Sequence, residues 1–292
     1  MESKRKTRWN VVVVLSCLML ASFCFSTGPV QAERQGQIYG WGKQKLLNGE
    51  TLTNISKIAA GHSHSLALKS DGSIVGWGKD DYGQATPPGG TGFIAVAAGN
   101  YHSLALKSDG SIVGWGRDDY GQATPPSGNG FIAIAAGRYH SLALKSDGSI
   151  VGWGSNYDYS GEIYYGQATP PAGNDFTAIA AGEWHSLAIK SDGSIVGWGD
   201  DWFGQATPPE GNDFIAIAAY GDYGLAIYSP AGDLNNDCRV DMVDFAILGD
   251  AWMSEAGDLN WNAGCDISDP NDNLIDVLDL EVFVGSWLKG VE

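Results

Sequence analysis

Six positions near the C-terminus carry the sharpest chemical signal in the chain. Asp233, Asn235, Asp237, Arg239, Asp241 and Asp244 stand at positions 1, 3, 5, 7, 9 and 12 of a twelve-residue loop. Ca²⁺ takes about six to eight hard oxygen ligands, and this spacing wraps such groups around one centre. Position 7 contributes a backbone carbonyl, so Arg239 is compatible. Cys238 stands where position 6 usually holds Gly, and Asp244 where position 12 usually holds Glu. The segment then repeats at an offset of 35 residues, pairing Asp241 with Asp276, Asp244 with Asp279 and Trp252 with Trp287. A strict offset puts Pro270 at position 3, which cannot ligate, so a second loop needs an insertion. Asp266, Asp272, Asp276 and Asp279 then serve. A competing register runs Asp258, Asn260, Asn262, Asp266 and Asp269. Pro270 and the Asn-Asp-Asn after it disfavour the helix that register would start, so the first is preferred. The expected cofactor is Ca²⁺.

Histidine offers a second chemistry. His64, His102, His140 and His185 open near-identical blocks, HSLALKSDGSIVGWG, with Ile189 the one change in the fourth. Four histidines could hold a metal or act as a base. Identical repeat positions spread around an array rather than converge, however, so structural hydrogen bonding is expected. No Ser/His/Asp or paired-carboxylate set stands apart from the repeat. An enzyme is not expected.

The blocks are spaced 38, 38 and 45 residues apart, the last lengthened by an insertion around 156–164. Each unit reads as three short strands, as in Phe131–Ala136, Ser141–Lys145 and Ser149–Trp153, rich in β-branched and apolar residues. Ser146-Asp147-Gly148 signals a hairpin, and Pro125-Pro126 cannot sit inside a ladder and marks a crossover. The Trp-Gly strands number five (Trp41, Trp77, Trp115, Trp153, Trp198), as do the Ala-Ala strands ending at Gly61, Gly99, Gly137, Gly182 and Gly221. The array starts with a lone third strand, Gln37–Gly42, and ends with lone first and second strands. That offset suits a closed ring in which the first strand completes the last blade; an open arc is the alternative. The expected fold is an all-β repeat propeller of five short, three-stranded blades over residues 33–230.

Chain direction places the Ala-Ala-Gly loops and the loops after Trp-Gly on one side. That side varies where the rest repeats. Its aromatics, Tyr82, Tyr101, Tyr120, Tyr139, Tyr164, Tyr165, Trp184, Trp202, Phe203 and Tyr223, stand among carboxylates. This composition suits recognition of a protein, or of sugar rings by stacking. Trp184, Trp202 and Tyr164 break the repeat and are expected to be exposed anchors.

Two family resemblances rest on these motifs. The G-x-x-HSLALKSDG pattern with its WG and GQ resembles repeats of the regulator of chromosome condensation. Its short spacing and GQATPP tail are most similar to the propeller-fold β-lactamase inhibitory proteins, which implies a protein-binding habit. Residues 231–292, with two loop–helix units and Asp at position 12, resemble a type I dockerin. That implies a small α-helical, EF-hand-like domain, with Phe245, Ile247, Leu248 and Trp252 on one stripe and Leu280, Val282, Phe283 and Trp287 on the other. A cohesin-like partner is implied as well.

Lys4, Arg5, Lys6 and Arg8, the apolar run from Val11 to Phe25, and Val30-Gln31-Ala32 read as a signal peptide, residues 1–32, cleaved after Ala32. No second stretch is long enough to span a membrane, so the mature chain is expected to be secreted or at the cell surface. Residues 1–32 hold 4 of 17 basic and 1 of 34 acidic residues, leaving a net charge of −20. Such a field repels nucleic acid. Cys238 and Cys265 remain after cleavage and could form a bridge. The expected function is non-catalytic binding. Inhibition of an extracellular enzyme is the alternative, with a hydrolase role in polysaccharide degradation behind it.

Overall fold

The computed structural model describes residues 53–230, 242–251, 265, 267, 279–280 and 282–283. Blade one is β1 (Ile55–Ala60), β2 (His64–Lys69) and β3 (Ile74–Gly78). Blade two is β4 (Phe93–Ala98), β5 (His102–Lys107) and β6 (Ile112–Gly116), and blade three is β7 (Phe131–Ala136), β8 (His140–Lys145) and β9 (Ile150–Gly154). Blade four is β10 (Phe176–Ala181), β11 (His185–Lys190) and β12 (Ile195–Gly199); a two-stranded sheet, β13 (Phe214–Tyr220) and β14 (Tyr223–Tyr228), follows. The strand proposed to complete that sheet, Gln37–Gly42, lies outside the described residues. A helix, α1 (Met242–Ala251), comes last.

Blades one to three are antiparallel meanders, each with a bulge near its start; in blade two Phe93 faces Lys107, and the register resumes at Ala95 with Leu106. The Ser-Asp-Gly turn is locked locally. Asp109 Oδ1 accepts both the amide and the hydroxyl of Ser111, at 2.9 and 2.6 Å. Gly110 takes φ +79°, a conformation glycine adopts without strain.

Successive blades touch through their first strands, β1 with β4, β4 with β7 and β7 with β10. The core lies between blades. Leu104, Leu106 and Ile112 of blade two pack on Phe131 and Ala143 of blade three, with Ala95, Ala97, Ile134, Val151 and Trp153 around them. Leu142, Leu144, Ile150, Phe176 and Ala188 repeat this at the next junction.

A polar latch repeats beside that core. Ser103 Oγ donates to the Gln84 carbonyl at 2.8 Å, and Trp115 Nε1 donates to the same oxygen at 3.0 Å. His64 Nε2 lies 2.8 Å from Ser103 Oγ. The serine's only O–H is directed at the Gln84 carbonyl, so the imidazole must donate from Nε2. His102 with Ser141 and His140 with Ser186 repeat the arrangement, at 2.8 and 2.9 Å. Burial holds these rings neutral, pushing His64 and His185 down to about 4 and His102 and His140 to about 3. The histidines are thus structural, as the repeat implied. At the last junction β14 carries Tyr223-Gly224 in place of His-Ser, and His185 Nε2 has no partner among the described residues. The inner loops also bond across blades, with the Asn100 amide donating to the Gly137 carbonyl at 3.1 Å. A side chain at Gly99 would meet that carbonyl at 2.4 Å.

The chain divides into two compact units, Met1–Ala188, Val196–Pro208 and Ala218–Leu225 against Ile189–Ile195, Pro209–Ile217 and Ala226–Glu292. In the second unit Leu248, Cys265 and Phe283 form a small buried cluster with Ile247, Ile267 and Leu280. Leu248 comes from α1, and residues 279–280 and 282–283 are helical. Among the described residues no helix is long and apolar enough to cross a membrane.

Candidate functional site: the loop face

Four backbone hydrogen bonds fix which loops share a side. The amide after each Trp-Gly donates to a carbonyl of the loop between first and second strands: Lys79 to Ser63, Arg117 to Tyr101, Ser155 to Tyr139 and Asp200 to Trp184, at 2.7–2.9 Å. The two variable loop sets therefore lie together.

The loops leaving the third strands are rigid. Asp80 accepts the Ala85 amide and the Thr86 hydroxyl, both at 2.6 Å, while Gln84 Oε1 accepts the Tyr82 amide at 2.9 Å. Asp118, Asp201 and their followers repeat these bonds. Tyr82, Tyr120 and Phe203 thus occupy one repeated, exposed position. The insertion folds back on itself, with Tyr157 bridged to Tyr164 and Asp158 accepting the Glu162 and Ile163 amides.

Aromatic side chains join into a chain across the blades. Tyr101 stacks on Tyr139 with centroids 5.7 Å apart, and Tyr82 and Tyr120 meet them edge-on. Trp184 lies 5.5 Å from Tyr139 and 6.1 Å from Tyr165. Two arginines fill the gaps. The Arg117 guanidinium is 5.2–5.5 Å from the rings of Tyr82, Tyr101 and Tyr139 and pairs with Asp119. Arg138 sits over Tyr139 and Trp184 and pairs with Glu183, which also accepts from Asn100. Such cation–ring contacts each stabilise by about 0.5–2 kcal/mol.

The structure brings Tyr82, Tyr101, Tyr120, Tyr139, Tyr165 and Trp184 together. It separates the three residues expected as exposed anchors. Trp202 is 84% exposed and Tyr164 is exposed on the insertion beside Tyr157. Trp184, at 9%, is buried because Arg138, Tyr139 and Tyr165 enclose it. Phe203 (72%) and Tyr159 (71%) join the exposed set. Tyr223 lies exposed 6.4 Å from Tyr220. Arg117 and Tyr159 were not singled out from the sequence. Arg117 follows a Trp-Gly in a position that Lys79, Ser155 and Asp200 fill elsewhere, and that variation was the available signal.

Of the proposed calcium ligands, Asp244 and Asp279 are described, and both are fully buried. Asp279 Oδ1 accepts the Ile267 amide at 2.7 Å. Asp233, Asn235, Asp237, Arg239, Asp241, Asp266, Asp272 and Asp276 lie outside the described residues. Cys265 is buried, 3.8 Å from the Ile247 carbonyl, and has no disulfide partner among the described residues; Cys238 lies outside them. Among the described residues no three His, Cys, Asp or Glu side chains are grouped to hold a metal.

Residues 55–84, 93–122, 131–160 and 176–205 each match the regulator of chromosome condensation (RCC1) repeat. Each of blades one to four thus carries one segment that matches this repeat. With their three-stranded sheets they form an all-β, RCC1-like propeller; the β13–β14 sheet falls outside the matched segments. No curated protein matches the chain. Among solved structures the chain is similar to Prp20p of Saccharomyces cerevisiae, a protein that binds Gsp1p and histones. The two share 20% identity at a TM-score of 0.49, covering 65% of this chain and 59% of that one. It is also similar to the CRINKLY ectodomain of the Arabidopsis thaliana receptor kinase ACR4, at 23% identity and a TM-score of 0.48, covering 61% and 60%. The chain thus spans about three fifths of these structures.

Proposed function

We propose that the protein is an exported, non-catalytic binding protein whose loop face recognises a protein or carbohydrate. The observation that carries this reading is the exposure of Tyr159, Tyr164, Trp202 and Phe203 on loops held rigid by their own Asp and Gln side chains. Patches of this kind on soluble proteins mark interaction sites, and preorganised loops lose little entropy on binding. The RCC1-type scaffold suits a binding role, and the four repeat histidines, His64, His102, His140 and His185, are buried and neutral, unavailable as surface bases. Inhibition of an extracellular enzyme, the role that the sequence resemblance to β-lactamase inhibitory proteins would imply, would use the same face. Capture from an extracellular fraction tests the reading. The wild-type chain should retain a partner that the combined variant Tyr159→Ser, Trp202→Ser, Phe203→Ser releases. Equal capture by both would place binding elsewhere.

The C-terminal segment is proposed as the dockerin-like calcium module, attaching the protein to a cohesin-like partner. Two buried aspartates, Asp244 and Asp279, 35 residues apart at the repeated twelfth loop position, support it. If Ca²⁺ orders this segment, chelator should speed proteolysis after residue 231 in the full chain while the blades resist. Asp237→Ala should mimic chelator. Identical digests with Ca²⁺ and with chelator would remove the assignment.

A further inference from the structure

The loop face is uneven in its cations. In blades two and three Arg117 and Arg138 lie on the aromatic rings, each neutralised by a neighbouring carboxylate. Farther along the array the same positions change sign. The residue after Trp-Gly is Lys79, then Arg117, then Ser155, then Asp200; Arg138 gives way to Glu183, and the next loop holds Asp222. Residues 155–166, 200–204 and 220–224 contain no Lys or Arg but contain Asp158, Glu162, Asp200, Asp201 and Asp222.

These segments share one neighbourhood. The Asp200 amide bonds the Trp184 carbonyl at 2.9 Å, and Trp184 contacts Tyr165 at the base of the insertion. The Tyr165 phenol is raised by burial and, beyond that, by the carboxylates of Asp200, Asp158 and Asp222. Tyr157, Tyr159, Ile163, Tyr164, Trp202 and Phe203 are all exposed on these segments. These segments thus repeat the aromatic-and-carboxylate composition of the first blades with no guanidinium group of their own, and Arg138, which lies over Trp184, is already paired with Glu183.

We infer that this sector docks a partner protein segment bearing arginine or lysine side chains, whose cations lie against Trp202 and the insertion tyrosines as Arg117 lies against Tyr82, Tyr101 and Tyr139. The inference rests on the loop face being the binding surface. Complementary charge favours such a segment over an acidic one, and the exposed rings attract cations within about 6 Å of their centroids. A neutral sugar could stack on the rings and donate its hydroxyls to the carboxylates, but only a cationic segment also gains from the net negative charge of these loops.

Three probes test it on the full chain at about 0.15 M salt, where distant charges are screened: a decapeptide alternating Arg and Ser, its Glu/Ser counterpart, and cellohexaose. The arginine peptide should bind, and the glutamate peptide and the sugar should not. Trp202→Ala with Phe203→Ala, which leaves every charge in place, should weaken binding at least about ten-fold. Asp200→Asn with Asp222→Asn should weaken it comparably. Undiminished affinity in the aromatic variant would mean diffuse attraction to an acidic protein and would overturn the inference, as would binding of none of the probes. Cellohexaose binding lost in that variant, with no arginine-peptide binding, would overturn it while sparing the loop-face reading. Partner capture unaffected by the triple Ser variant would instead sink that reading.

Discussion

Between the blades, His102 and Ser141, Trp153 and Gln122, and Leu106 and Phe131 recur with the same contacts at every described junction where their types are kept. On the loop face, two residues before the repeat histidine of each unit, Asn100, Arg138 and Glu183 take the same place with different charge. The junction tolerates no such drift, because each side chain there fills a closed volume or satisfies a buried donor. Each loop needs only its Asp and Gln anchors, so its outward residues are set by something other than folding. The last junction shows the rule from the other side: where Gly224 replaces the serine, His185 Nε2 loses its partner.

Acid should break the junctions most strongly. Each buried histidine has a folded pKa near 3 or 4, below the unfolded value of about 6.5, so the unfolded chain binds the extra proton. Their contribution is fully present above about pH 6.5 and is lost as pH falls toward 4. Each ring removes up to about 1.4 kcal/mol per pH unit in that window. Denaturant midpoints measured from pH 7 to pH 4.5 should fall steeply. A flat profile would mean that the rings are solvated. Next in size, Leu142→Ala should cost about 2–5 kcal/mol in urea unfolding, because the leucine is fully enclosed between blades three and four. Trp184→Ala sharpens the comparison, since the residue belongs to the loop face by position and to the packed interior by contact. A loss of about 2 kcal/mol is expected, less than for a core tryptophan. Smallest of all, Trp202→Ala should change stability by no more than about 0.5 kcal/mol.

Much of the scaffold was legible in the chain. Phe131–Ala136 was placed as observed, and the strands after it begin one residue from their expected starts. The repeat also told that the histidines were structural. Their partners were not legible, because the serine each one meets lies 39 to 46 residues away in the next blade. The shared side of the two loop sets followed from chain direction alone. What composition could not separate was Trp184 from Trp202. Both are tryptophans that interrupt the repeat, and only the placement of Arg138, Tyr139 and Tyr165 buries one of them. Arg117 went unnoticed for a related reason: a cation after Trp-Gly reads as a solvated charge until three tyrosine rings are found around it.

The division between an invariant interior and a free loop face is tested most directly by one paired measurement on Tyr159→Ser, Trp202→Ser, Phe203→Ser. Thermal unfolding and partner capture are recorded on the same preparation. A melting temperature within about 2 °C of wild type, together with loss of capture, is the predicted result. A markedly lowered melting temperature would contradict the division, because the exposed aromatics would then be holding the blades together.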